Sequence, residues 1–282
     1  MTPQTFSEAV EALLVERNPR NMAALRRALA PGYCLRAAQL LQGRRRVLIG
    51  TGFPVAGSFE TDGPLGAIAL YRALESLGAR CTLATAVPLL DALAEDFRVV
   101  ELSAFDAEAA RGQATRHLRE LAPDLIISIE RPGLHGDGRY YNMRGADISE
   151  RCPIFDFHVQ LADCPSVGIG DGGNEIGMGN VAAAVAELDI RGAETRCDEL
   201  IVADVSNWGA YGLLALLEVV TGRPMLRAID HRELLAYLSA RGSVDGVTGE
   251  NTLSEDSLPL AAGTALLRHL RALGRDYAAA AR

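Results

Sequence analysis

Short, nearly uninterrupted apolar runs separated by stretches of helical periodicity constrain this chain more than any other feature. Val47-Leu48-Ile49, Leu125 to Ile129, Ser166 to Ile169 and Leu200 to Ala203 leave little room for a polar, solvent-facing side. Strands buried on both faces read this way, whereas a half-exposed antiparallel strand alternates. Between them, Gly63 to Leu77, Asp106 to Leu121, Glu175 to Leu188 and Trp208 to Val220 carry helical spacing, and Arg80 to Ala84 reads as a further strand. Strand and helix in alternation predict an α/β fold, a mostly parallel sheet with helices on both faces in a Rossmann-like three-layer sandwich. Asp62 is the expected N-cap of the helix from Gly63, with Pro64 in its first turn.

Before the first strand, Phe6, Val10, Leu13 and Leu14, then Met22, Leu25 and Leu29, recur at helical intervals around a turn at Asn18-Pro19. Residues 1–40 are therefore expected to form a helical segment covering a single α/β domain of residues 41–282, closed by a helix from Leu258 to Leu273. The stretch from Arg131 to Asp163, glycine-rich and weakly periodic, is expected to be an insertion at the strand ends.

An open parallel sheet binds ligands beyond the carboxyl ends of its strands, where helix N-termini offer free N–H groups. Four segments of this chain fall there. Gly50 to Gly52 leads into Glu60-Thr61-Asp62-Gly63; Glu130-Arg131-Pro132-Gly133 follows the strand at 125; Gly170 to Glu175 and Asp204 to Gly209 follow the last two strands. Each brings a carboxylate. Glu60, Asp62, Glu130, Asp171, Glu175 and Asp204 are thus candidate metal ligands, with Asp171, Glu175 and Glu130 the candidate catalytic acids and bases. Gly52, Asn174 and Asn207 are candidate substrate contacts.

Composition sharpens this. All 28 basic residues are arginine, since no lysine occurs anywhere in the sequence. That removes the lysine Schiff base, the usual attachment of pyridoxal phosphate and the P-loop lysine. Clustered carboxylates would repel one another without a cation, so a divalent metal such as Mg²⁺ or Mn²⁺, or a substrate ammonium group, is the expected counter-charge. Arg139 and Arg144, in the loop from Gly133 to Gly145, are candidates to hold a substrate carboxylate. His135 shares that loop, and Asp245 and Glu250 are lesser candidates. His158, among apolar neighbours, is expected to be a hydrogen-bonded structural histidine.

Other classes are disfavoured. A net charge of −8 and no basic stripe argue against nucleic acid, and no apolar run of about 20 residues suggests a membrane span. The serine elbow GxSxG is absent. Gly168-Ile169-Gly170-Asp171-Gly172-Gly173 contains GxGxxG but does not open the first βαβ unit, which makes a dinucleotide unlikely. Five scattered cysteines without a CxxC pair, and an acidic N-terminus, suggest reduced thiols and a cytoplasmic location. Homo-oligomerisation is left open.

Together the phrases TGFPVAGSFETDGPLGAIAL, IERPG with HGDGRYYNMRGADIS, and IGDGGNEIGMGNV resemble the C-terminal domain family of D-glutamate cyclase, over about Thr51 to Asn251. The resemblance implies a stand-alone member, without the additional N-terminal domain of larger relatives, acting on a small acidic amino acid. It implies conversion of D-glutamate to 5-oxo-D-proline and water, a hydro-lyase reaction. Acids beside a hard metal equally suit a phosphohydrolase of small phosphate esters, and the same pocket could serve a non-enzymatic amino-acid sensor.

Overall fold

Why the central strands are buried on both faces becomes plain from their pairing. The computed structural model describes residues 1–55 and 57–280. Its central sheet comprises β1 (Arg46–Thr51), β2 (Arg80–Thr85), β3 (Val99–Glu101), β4 (Leu125–Ile129), β5 (Ser166–Gly170) and β6 (Glu199–Val202), in the spatial order β3-β2-β1-β4-β5-β6 and parallel throughout. The order reverses direction between β1 and β4, the switch point at which a doubly wound sheet opens a crevice.

Side chains alternate across the sheet into two cores. Val47, Ile49, Leu125, Ile127, Val167 and Ile169 join one, while Leu48, Ile126 and Ala84 join the other with Phe155 and Ile176. The first face is covered by α1 (Pro3–Leu14), α3 (Tyr33–Leu41), α4 (Pro64–Ser76), α9 (Ser206–Thr221) and α11 (Leu260–Ala280). The second is covered by α6 (Ala107–Leu121) and α7 (Asp156–Gln160), which pack together. Shorter helices complete the chain: α2 (Met22–Ala28), α5 (Leu89–Leu93), α8 (Ala182–Val185) and α10 (His231–Ser239).

The N-terminal helices do more than cover. Phe6, Val10, Leu14 and Tyr33 are fully buried in the same core as the sheet, and Leu14 packs against Gly212 of α9, where any added Cβ would collide with it. At roughly 1.5–3 kcal/mol per fully buried large apolar side chain, this segment contributes heavily to stability.

Three expectations are corrected. The helix expected over 175–188 is instead a loop, one 3-10 turn at Met178–Val181 and the single turn of α8, because Gly173 and Gly177 take left-handed φ angles of 100° and 104° that break helical continuation. The final helix runs from Leu260 to Ala280 rather than starting at Leu258, which lies in a two-residue ribbon paired with Glu255. Asp62 does not cap α4, whose N-cap position is held by Gly63. Its carboxylate accepts from Ser206 N and Asn207 N at the start of α9, as well as from Gly63 N. His158 is buried and hydrogen-bonded to His117 at 3.0 Å; burial, with His117 beside it, pushes it down to about 3 and keeps it neutral.

Candidate active site

At the switch point the chain leaves β1 and β4 in two unusual conformations. Glu130, directly after β4, has φ 43°, a left-handed geometry that costs a non-glycine residue free energy and is retained where function requires it. Gly63 lies against it with φ 89°, and a Cβ there would sit 2.5 Å from the Glu130 Cβ. Only glycine lets the two strand exits approach this closely.

That approach assembles the carboxylates. Asp62, in the turn that enters α4, and Glu130 and Asp171, directly after β4 and β5, are all buried, and one oxygen of each lies within 4.8 Å of the others. Glu60, Glu130, Asp171, Glu175 and Asp256 line a cavity of about 540 Å³ above them. Its walls are Phe53, Pro54 and Val55 on one side, Asn142, Met143 and Asn174 on another, and the turn Gly246 to Gly249 on a third; Arg144 and Arg151 stand exposed at its rim.

Burial is the first cause of every shift in this cluster, and like charge is the second for most. Burial and the neighbouring Asp256 push Asp62 up to about 8. Glu130 is raised well above the usual carboxylate range by burial and Glu175, and Glu60 by burial and Glu130. Asp171 is raised by burial although Arg20 opposes the shift. Glu60 Oε1 is buried without a hydrogen-bond partner among the described residues, a cost native interiors rarely leave standing. A cation would satisfy it.

The other candidates separate into two groups. Glu175 lines the cavity, but its oxygens accept from Gly172 N at 2.7 Å and Gly173 N at 2.8 Å, so it shapes the loop that carries Asp171. Asn174 lines the cavity while its amide donates to Tyr141 O. Arg144 reaches the cavity; Arg139 does not line it and pairs with Asp147 at 3.0 Å on the surface. Asp204 turns away to accept from Arg17 N and Asn18 N. Asn207 is fully buried, its Oδ1 accepting from Gly63 N and Gly66 N and its Nδ2 donating to Thr61 O and Glu255. Gly52, at φ 102°, receives Arg131 Nη1 on its carbonyl. Asp245 caps its own turn through Val247 N and Thr248 N, although the turn itself lines the cavity.

Three site residues escaped sequence reasoning. Arg20 comes from the turn between α1 and α2 and pairs with both Asp171 and Asp256. Asp256 sits at the tip of the ribbon near residue 255, with φ 50°. Nothing in sequence spacing links positions 151 and 236 residues apart. Arg131, buried next to Glu130, bonds Gly52 O and Pro153 O and could have been suspected from its place at a strand end.

No helix among the described residues is long and apolar enough to cross a membrane. Against known proteins, residues 10–271 match the family described as D-glutamate cyclase-like, C-terminal. The chain is similar to the human protein named D-glutamate cyclase, mitochondrial, with 33% identity over 213 residues, 66% of this chain and 35% of that protein; it therefore spans about a third of that relative's length. A solved structure described as an exopolyphosphatase-related protein from Bacteroides fragilis superposes with a TM-score of 0.43 and 11% identity, covering 87% of this chain and 57% of that one. Matched along nearly its whole length, the chain belongs to the D-glutamate cyclase-like C-terminal family.

Proposed function

We propose that this protein closes an acidic amino acid into its lactam, converting D-glutamate to 5-oxo-D-proline and water. The reading rests on the family and on one observation above all: three buried carboxylates with oxygens within 4.8 Å of one another under a cavity edged by arginines. A zwitterionic amino acid with a second carboxylate complements both charges.

In the reaction the α-nitrogen bonds to Cδ, the carbon of the side-chain carboxylate, and one oxygen of that carboxylate departs. Of the three ammonium protons, one stays on the lactam nitrogen and two leave with that oxygen as water. The chain must therefore take protons from the ammonium and deliver them to the oxygen, and a carboxylate within reach of both can do so. Arg144, at the rim, holds the α-carboxylate and orients the nitrogen toward the floor. Phe53, Pro54 and Val55 exclude water from that side, which strengthens every charge interaction inside.

Asp62, Glu130 and Asp171 would hold a divalent ion such as Mg²⁺ or Mn²⁺, with Glu60 nearby. Their donor set is all hard oxygen, and the unpartnered Glu60 Oε1 fits the same need. Bound there, the ion would polarise the γ-carboxylate and stabilise its negative charge.

The test is quantification of 5-oxoproline from D- and L-glutamate, with EDTA and with Mg²⁺ or Mn²⁺ restored. Formation from D-glutamate, dependent on the metal, is expected. Phosphate release from small esters without 5-oxoproline would replace this reading with a phosphohydrolase, and ligand binding without turnover would replace it with a sensor.

A further inference from the structure

The first 40 residues contribute a single side chain to the cavity, Arg20, and its surroundings are built rather than incidental. The turn that carries it is pinned at both ends. Asp204 accepts from Arg17 N at 2.7 Å and Asn18 N at 3.0 Å, Asp204 N donates to Leu14 O, and Asn18 Oδ1 accepts from Ala23 N at the start of α2. Asn18 and Asn21 take left-handed φ angles of 53° and 61°, a conformation asparagine adopts more readily than most residues.

From this turn the guanidinium reaches the carboxylate floor. Nε donates to Asp171 O at 3.0 Å, and Nη2 donates to Asp204 O at 2.9 Å and to the carboxylates of Asp171 and Asp256. Nη1 makes no hydrogen bond among the described residues, and it is not sealed off: the side chain stays 19% exposed and lines the cavity. Three anchors fix the guanidinium plane, so the remaining N–H groups are held in one direction at little further entropic cost. Burial works against the charge, but Asp171 and Asp256 outweigh it and the pKa is raised, so the group is a permanent cation.

Two other arginines line the cavity, Arg144 and Arg151, and both are exposed at its rim. A dicarboxylate entering the cavity meets a rim cation at one end and, at the depth of the carboxylates that would move protons, one cation with an unused donor edge. We infer that Arg20 binds the reacting carboxylate of the substrate through Nη1, making the N-terminal turn a working part of the active site. The inference rests on the proposed lactam chemistry for the identity of that carboxylate, and on geometry alone for the binding of one.

Two variants and one non-reacting probe test it. Arg20→Lys keeps a cation between Asp171 and Asp256 but removes the second nitrogen of the fork; Arg20→Ala removes both. Glutarate carries both carboxylates of glutamate and cannot cyclise, so its calorimetric affinity reads binding apart from turnover. Expected are melting temperatures for Arg20→Lys close to wild type, at least about tenfold weaker glutarate binding, and kcat/KM for glutamate lower by about 100-fold or more. Arg20→Ala should bind glutarate no more tightly than Arg20→Lys, and wild-type affinity in it would equally overturn the inference. Glutarate binding to Arg20→Lys with wild-type affinity would overturn the inference, as would failure of the wild type to bind glutarate. Should the wild type bind glutarate through Arg20 yet make no 5-oxoproline, the lactam reading falls and the carboxylate site stands.

Discussion

Asp62 and Asp245 each precede a glycine, in Thr61-Asp62-Gly63 and Val244-Asp245-Gly246, two segments that touch one another through Thr61 N and Val244 O at 2.8 Å. Both are buried, and both accept several hydrogen bonds. Asp245 takes them from Val247 N, Thr248 N, Ser257 N and Ser254 Oγ; Asp62 takes them from Gly63 N, Ser206 N and Asn207 N. Burial alone would raise each. For Asp245 the hydrogen bonds outweigh it and the pKa falls below the ordinary value, whereas Asp62 is pushed up to about 8 by burial and Asp256. The donors are comparable; the neighbours are not. Burial is the larger cause of the rise at Asp62 and the like charge of Asp256 adds to it, whereas at Asp245 the hydrogen bonds prevail, so Asp62 is the carboxylate that a bound cation would relieve.

The contrast can be broken most sharply at Glu130. Glu130→Gln keeps the shape and removes one crowded charge, so turnover of glutamate is expected to fall by about 10³-fold, within the range of lost acid–base or electrostatic catalysis. The melting temperature should hold or rise, because a like-charge repulsion disappears. A fall in both together would place Glu130 with the structural acids.

Asp245→Ala is the converse. It strands three backbone N–H groups and the Ser254 hydroxyl, with an expected loss of about 3 kcal/mol in denaturant unfolding. Unchanged stability would mean that water replaces the carboxylate at no cost.

A smaller effect sharpens the electrostatic half. With Asp62 raised to about 8 in the folded chain, the native state holds a proton between about pH 4 and pH 8 that the unfolded chain has released. The native state then binds more protons, so in EDTA the stability should decline as pH rises across that window. Asp62→Asn should flatten that slope in pH-resolved thermal melts; a slope of the same size in the variant would assign it elsewhere.

The smallest expected effects separate two arginines. Arg139, on the surface with Asp147, should be replaceable by alanine within a factor of about two in KM, since a solvent-screened pair away from the cavity has little to contribute to binding. Arg144→Ala, at the rim, should raise KM by about tenfold with little change in kcat. Equal effects would remove Arg144 from the role of α-carboxylate anchor.

Strand identity and the location of the carboxylates were legible because both depend on local pattern. Apolar runs report burial on two faces, and a parallel sheet directs every strand exit to one edge, so Asp62, Glu130 and Asp171 could be brought together on paper before their distances were known. Asp204 and Asn207 follow the same rule and are used differently, because the last strand exit meets the N-terminal turn and the start of α4 rather than the cavity. What local pattern could not supply was Arg20 with Asp256, a contact made across most of the chain by two turns in left-handed conformations. The helix expected from Glu175 to Leu188 fails for a related reason: the acid at 175 folds back on the N–H groups of Gly172 and Gly173, a closure that sequence periodicity does not encode.

The most direct test lies in Asp171, the carboxylate shared by the metal candidates and Arg20. Rates of 5-oxoproline formation from D-glutamate and melting temperatures, taken on one preparation of wild type and of Asp171→Asn, separate chemistry from architecture. The expected result is a folded variant that melts within a few degrees of wild type and forms 5-oxoproline at least about 100-fold more slowly. Full activity in Asp171→Asn would contradict a carboxylate-centred site at this sheet edge.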